Sequence, residues 1–215
     1  MTSVREVPPP RDVGLGTAYE RLAVTRLLLR WAPAAPATAL EGPVDGMAGM
    51  PGLHLLPLAR RGTRVTLAHP SPEALERARI VYERAGLSRS LTTICTEVPP
   101  AGPFELALVF NAACAGSEWQ SYLSAVARVA RRVVVLVSHR GTWGAWVRRG
   151  LRAVRRQPRA ELFDQLFDHP AARVDLMESH LARLGRIESR AFVDCPWWPD
   201  LFVQAGDTLA SDLLR

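Results

Sequence analysis

Glu41 and the residues that follow it hold the clearest chemistry in the chain. Leu40-Glu41-Gly42-Pro43-Val44-Asp45-Gly46-Met47-Ala48-Gly49-Met50-Pro51-Gly52 sets four glycines and two acids directly after a short apolar run. Glycine tolerates positive φ and has no side chain to hold a ligand off, so such a turn lets backbone approach a bound molecule. A carboxylate at its start can accept hydrogen bonds from hydroxyl or ammonium groups. The pattern is that of a nucleotide-type cofactor loop. Downstream, His69, Glu97, Asn111 and His139 each end or closely follow an apolar run. In an open parallel sheet these are positions from which polar groups reach a ligand.

Each of these residues also has a purely structural reading, and both stay open from sequence alone. Glu41 can cap neighbouring backbone, Asp45-Gly46 is a common turn pair, and His69-Pro70 can be an ordinary loop histidine. Glu97 can be a surface acid, and Asn111 can cap the turn that follows it. Isolated Trp31 and Trp119 are expected to pack helices. Trp143 and Trp146 after the fifth apolar run, with Trp197 and Trp198 in a late Pro-flanked loop, either line an aromatic substrate pocket or pack a lid onto the core.

The elements that must position these groups follow from periodicity and breakers. Thr17 to Trp31 reads as an amphipathic helix ended by Pro33 and Pro36, Ala37 to Leu40 as a strand, and Leu53 to Arg61 as the helix leaving the glycine loop. Val65 to Ala68 is a second strand. Ser71 is an N-cap, with Pro72 at the first helical position and Glu73 in the first turn, for a helix closing at Gly86. Strands follow at Leu91 to Thr96 and Glu105 to Phe110, then a helix over Glu118 to Ala130 and a strand over Val133 to Val137, which reads as the most clearly buried one. Strands alternating with helices imply an α/β fold with a parallel sheet covered on both faces. After Ser138 the rhythm changes: helices are expected over Trp143 to Arg156, Ala160 to Phe167 and Ala171 to Leu184, and strands over Ile187 to Val193 and Leu201 to Gln204.

Composition bounds the function classes. A chain of 215 residues that is 48% hydrophobic suits one well-buried domain. Met1 to Asp12 is charged and proline-rich, and Leu27-Leu28-Leu29 lies between Arg26 and Arg30, so neither a signal peptide nor a membrane span is expected. Cys95, Cys114 and Cys195 are odd in number, widely spaced and free of a CxxC pattern, which argues against a disulfide framework and a metal site and for a cytoplasmic location. All 27 basic residues are arginines and the net charge is +6. Arg140, Arg148, Arg149, Arg152, Arg155, Arg156 and Arg159 fall in a segment without acids, so this patch carries +7 and the rest of the chain sums to −1. The basicity is local: a solvated helix face, or a contact for an anionic substrate, an acidic partner or a phosphate backbone.

Three signatures in this order resemble the class I S-adenosylmethionine-dependent methyltransferases, from about Tyr19 to Val203. They are Leu40-Glu41 with the glycine loop, the stretch Leu55 to Thr66 followed by Ser71 to Arg79, and Phe104 to Ala112. The resemblance implies a three-layer, mostly parallel, seven-stranded Rossmann-like sheet with an antiparallel last strand and a helical lid insertion. It divides the chain into an N-terminal tail and helix over 1–36 and a methyltransferase-like domain over 37–215, with the insertion at 140–170. It also implies that Glu41, Gly42, Asp45, Gly46 and Gly49 receive the methionine part and ribose of S-adenosylmethionine, that His69 stands at the ribose, that Glu97 lies on the adenine side, and that Asn111 borders the site. His139 is the general-base candidate by position, although methyl transfer from a sulfonium needs mainly proximity and orientation. Trp143, Trp146 and Trp197 would meet an acceptor.

Two departures from that pattern bear on activity. Pro43 and Asp45 stand where two glycines of the usual loop fall, and His69 stands where an acid normally takes both ribose hydroxyls. A neutral imidazole offers one donor and one acceptor and cannot reproduce a two-oxygen contact. Two readings follow: methyl transfer to a small-molecule acceptor, aromatic or otherwise, or a catalytically silent methyltransferase-like subunit acting as partner or scaffold. A dimer or a protein partner is compatible with both, and nucleic acid is the weaker expectation.

Overall fold

Short apolar runs alternating with amphipathic stretches build a parallel sheet with helices against both faces. In a computed structural model of the chain, the residues described are 15–32, 36–42, 52–110, 118–137, 150, 154 and 173–192. The elements are α1 (Leu15–Trp31), β1 (Thr38–Glu41), α2 (Leu56–Ala59), β2 (Arg64–His69), α3 (Pro72–Arg84), a 3₁₀ turn (Ser88–Ser90), β3 (Leu91–Cys95), β4 (Leu106–Phe110), α4 (Trp119–Val129), β5 (Val133–Leu136) and α5 (Val174–Leu184). The five strands are ordered β3-β2-β1-β4-β5, and every neighbouring pair is parallel. Leu40 pairs with Thr66 on one side and Ala107 on the other, so β1 is central.

The alternation along the strands sorts side chains into two apolar layers. Ala39, Leu106 and Leu108 pack with Leu55, Leu56, Leu58 and Tyr82, whereas Leu40, Ala107 and Val109 pack with Leu123, Val126 and Met177. β4 is buried along its whole length because β1 and β5 flank it and helices cover it. The strand expected to be most buried, β5, has only Val134 fully buried, since among the described residues it has a neighbour on one side only. On the α4 face, the buried Trp119 meets His180 edge-on at 5.2 Å. His180 donates from Nε2 to the Gln120 carbonyl (3.1 Å) and accepts from Arg183 at Nδ1 (3.3 Å), a tautomer fixed by its partners, which lashes α5 to α4. Trp31 likewise packs into the opposite layer.

Local signals explain where the elements begin. Ser71 Oγ accepts from the Ala74 N–H at 3.1 Å, Pro72 fills the first turn, and Gly86 at φ +72 follows the helix end. The helix expected over Leu53 to Arg61 shrinks to Leu56–Ala59. Pro57 has no N–H and clashes with the preceding turn, so it is admitted only at a helix start, and the flanking residues make tight turns instead. The strand expected over Ile187 to Val193 does not form in its described part: 187–192 is exposed and without ladder pairing. Arg132–Glu188 (3.0 Å) and Arg190–Glu178 (2.6 Å) ion pairs hold this stretch. Of the elements expected after Ser138, the helix over Ala171 to Leu184 forms as α5, Gly150 and Val154 are the described residues of the helix over Trp143 to Arg156, both helical and exposed, and the helix over Ala160 to Phe167 and the strand over Leu201 to Gln204 lie outside the described residues. Among the described residues, no helix is long and apolar enough to cross a membrane.

Candidate functional site

Because every strand runs the same way, Glu41, His69, Cys95 and Phe110 end their strands on one edge of the sheet. The chain fills β1, β2 and β3 outward to one side, then crosses to β4 and β5 on the other, so the strand order reverses between β1 and β4. A crevice at the carboxyl ends of strands forms at such a reversal, because the adjoining loops leave in opposite directions. Glu41 ends β1, the strand beside that reversal.

Glu41 is 2% exposed. One carboxylate oxygen, Oε1, accepts from the Gly52 N–H at 2.8 Å; the other, Oε2, is buried with no hydrogen-bond partner among the described residues. Burial disfavours the charged form and pushes the carboxyl up to about 7, with the Gly52 N–H pulling the other way. The Gly52 carbonyl accepts from Tyr82 Oη at 3.1 Å, so the residue closing the glycine loop is held from both sides. Gly52 sits at φ +87 with Leu67 and Tyr82 close by, a conformation that favours glycine. Burial, reinforced by the Glu41 charge, holds the Tyr82 phenol well above its ordinary range.

Gly42 continues the edge of β1, donating its N–H to the Leu108 carbonyl at 3.3 Å. A Cβ placed there would lie 1.9 Å from Tyr122 Oη. Tyr122 belongs to the first turn and a half of α4, and its hydroxyl is buried with no hydrogen-bond partner among the described residues. Burial first, then the Glu41 charge, raises its phenol above the ordinary value. Near the same edge, His54 is buried and tilts over the Phe110 ring, centroids 4.7 Å apart.

Of the residues singled out from sequence, the structure brings Glu41, Gly42 and His69 to the strand ends. His69 is buried, and its Nδ1 accepts from the Ser71 N–H at 2.9 Å, which leaves the ring proton of the neutral form on Nε2. Glu97 lies on an exposed turn just past β3, where Thr96 and Val98 bond to each other. Asp45, Gly46, Gly49, Asn111, His139, Trp143, Trp146 and Trp197 lie outside the described residues. Sequence reasoning missed Tyr82, Tyr122 and His54. Tyr122 carried a usable signal: it is the one hydroxyl-bearing aromatic on the apolar face of α4, close to the end at which a helix after a parallel strand meets the ligand edge.

No protein-family model and no curated protein sequence matches the chain. Solved structures do. A proposed O-methyltransferase from Nostoc punctiforme superposes with a TM-score of 0.56 at 14% identity, covering 79% of this chain and 50% of that one. A proposed sarcosine dimethylglycine methyltransferase from Galdieria sulphuraria gives 0.47 at 17% identity, covering 79% and 59%. Coclaurine N-methyltransferase, bound to N-methylheliamine and S-adenosylhomocysteine, gives 0.46 at 14% identity, covering 56% and 37%. The chain spans about half the length of the solved structures it matches. Its strand order, parallel register and superposition on the Nostoc protein give it the class I S-adenosylmethionine-dependent methyltransferase fold.

Proposed function

We propose that the chain binds S-adenosylmethionine at the carboxyl edge of β1 and transfers its methyl group to a small-molecule acceptor. The observation that carries this reading is the buried Glu41 carboxylate, with one oxygen on the Gly52 N–H and the other without a partner among the described residues. A buried carboxylate oxygen without a donor costs free energy that a ligand's N–H or O–H would recover. The fold shared with the Nostoc O-methyltransferase candidate and the departure of the chain into a glycine loop at this point support the same reading.

Bound there, S-adenosylmethionine supplies an electrophilic methyl group on a sulfonium. The chain's task is then to bind and orient. Glu41 accepts donors from the amino-acid end, and Gly42, Asp45, Gly46 and Gly49 let backbone lie against the cofactor. His69 stands at the ribose, Glu97 towards the adenine, and Asn111 at the end of β4 borders the site. In this reading 1–36 forms the leading segment and 37–215 the methyltransferase-like domain, with 140–170 as its helical cover. Trp143, Trp146 and Trp197 then face an aromatic acceptor, and His139 takes a proton where the attacking atom carries one. The protein acts in the cytoplasm.

Isothermal titration with S-adenosylmethionine and S-adenosylhomocysteine tests the reading. Binding with a Kd in the micromolar range is expected. No heat at millimolar ligand would sink it and leave the silent-subunit reading in its place. A second measurement addresses His69. Because a carboxylate can receive both ribose hydroxyls where the imidazole cannot, His69→Asp should tighten S-adenosylhomocysteine binding about tenfold. An unchanged Kd would remove His69 from the ribose.

A further inference from the structure

Among the described residues the Glu41 carboxyl makes a single hydrogen bond, accepted by Oε1 from the Gly52 N–H at 2.8 Å. A glutamate side chain turns about several bonds, so this contact fixes the direction of Oε2 only as firmly as Gly52 is itself fixed. Gly52 lies in a turn outside every helix and strand, at φ +87, and has no side chain with which to pack. It is therefore anchored through its backbone. The donor to its carbonyl is Tyr82 Oη, at 3.1 Å.

Tyr82 suits this task by its place in the fold. It stands in the last turn of α3, is 1% exposed, and packs in the apolar layer of Ala39, whose side of β1 Glu41 shares by alternation. Helical side chains lean toward the helix N-terminus, and the rigid ring carries the hydroxyl from α3 to the turn. Burial, then the Glu41 charge, holds the phenol well above its ordinary range, so it keeps the proton it donates. One line of contacts thus runs from α3 to the end of β1: Tyr82 hydroxyl, Gly52 carbonyl, Gly52 amide, Glu41 carboxyl. We infer that Tyr82 is a positioning residue for Glu41, holding Gly52 so that the carboxyl keeps Oε2 directed at donors of the cofactor's amino-acid end. The assignment rests on the cofactor reading above and adds to it a residue that acts without touching the ligand.

Tyr82→Phe removes the hydroxyl and keeps the ring, and its urea-unfolding midpoint checks that the variant folds. Without ligand, hydrogen exchange at the Gly52 amide should be faster in the variant than in the parent; an unchanged rate overturns the link between Tyr82 and Gly52. Binding is then titrated with S-adenosylhomocysteine, which carries the amino-acid end, and with 5′-methylthioadenosine, which keeps the adenosine and thioether without it. The variant should bind the first about tenfold more weakly, the size expected for losing a hydrogen bond to a charged group, and the second as the parent does. Placed in a Glu41→Gln background, Tyr82→Phe should cost no further affinity, because the carboxylate it positions is already gone. Unchanged S-adenosylhomocysteine affinity overturns the assignment. So does a loss common to both probes, or one that recurs in full beside Glu41→Gln, since Tyr82 would then support the loop as a whole. Each of these outcomes leaves the cofactor reading in place. If the parent protein binds neither probe, the cofactor reading fails and the assignment falls with it.

Discussion

Between pH 5 and pH 8 the free protein should lose about 3 kcal/mol of stability through Glu41 alone, and Glu41→Gln should abolish that part of the slope. The cause is the desolvated carboxyl, raised from an ordinary value of 4.5 to about 7. In that interval the folded chain holds a proton that the unfolded chain has released. Stability therefore falls as pH rises. The contribution is fully present below 4.5, declines above it, and is lost as pH passes through about 7. Urea-unfolding curves of the parent and E41Q across this range isolate the effect, because every other titrating group is common to both. Parallel stability profiles would show that Glu41 is not desolvated as described.

Ligand reverses the sign. An ammonium beside Oε2 favours the ionised carboxylate, so S-adenosylhomocysteine should bind more tightly as pH rises, by up to about tenfold per unit below the raised value. Binding below pH 7 should release close to one proton, seen as a dependence of titration heat on the ionisation enthalpy of the buffer. E41Q should show neither effect. The same carboxyl thus weakens the empty protein at high pH and strengthens its complex.

Gly42→Ala should destabilise the protein by about 1–3 kcal/mol, the usual cost of forcing an extra methyl into a filled site. The added Cβ would stand 1.9 Å from Tyr122 Oη and 3.2 Å from Cζ, so relief requires the whole ring to move. Tyr122→Phe removes the closer clash and leaves the other. In the double variant, part of the lost stability should return, and denaturation of the four proteins in a cycle gives the coupling. A Gly42→Ala protein as stable as the parent, or strict additivity, would show that Tyr122 is not seated over Gly42.

Much of the fold was readable in the sequence where local chemistry and burial agree. Ser71-Pro72-Glu73 predicts a capped helix start, and the structure has Ser71 capping α3. Leu106 to Phe110 is apolar without a break, as a strand covered on both faces must be. The failures are tertiary. Val133 to Leu136 is as apolar as β4, and composition does not tell which strand has neighbours on both sides. Ile187 to Phe192 has strand-like residues, but it is exposed, with Glu188 paired to Arg132 just before β5 and to the nearby Arg186, and Arg190 paired to Glu178 on α5. At the strand ends, Glu41 was legible as the acid that closes β1 beside glycines, and its bond to the Gly52 N–H is the backbone contact that the sequence also allowed. Tyr122 was overlooked, since at helical spacing from Trp119 and Val126 it reads as one more core aromatic unless its hydroxyl near the ligand-edge end of α4 is given weight.

The clasp on Gly52 separates the glycine loop from the scaffold beneath it. Glu41 grips its amide and Tyr82 its carbonyl, and both belong to elements outside the loop. Gly42 and Gly52, on either side of positions 43–51, are thus each held by groups outside that stretch: Gly42 by the Leu108 carbonyl of β4, and Gly52 by Glu41 and Tyr82. Loop-closure entropy changes slowly with length, so substitutions and even small changes of length there need not propagate into the sheet.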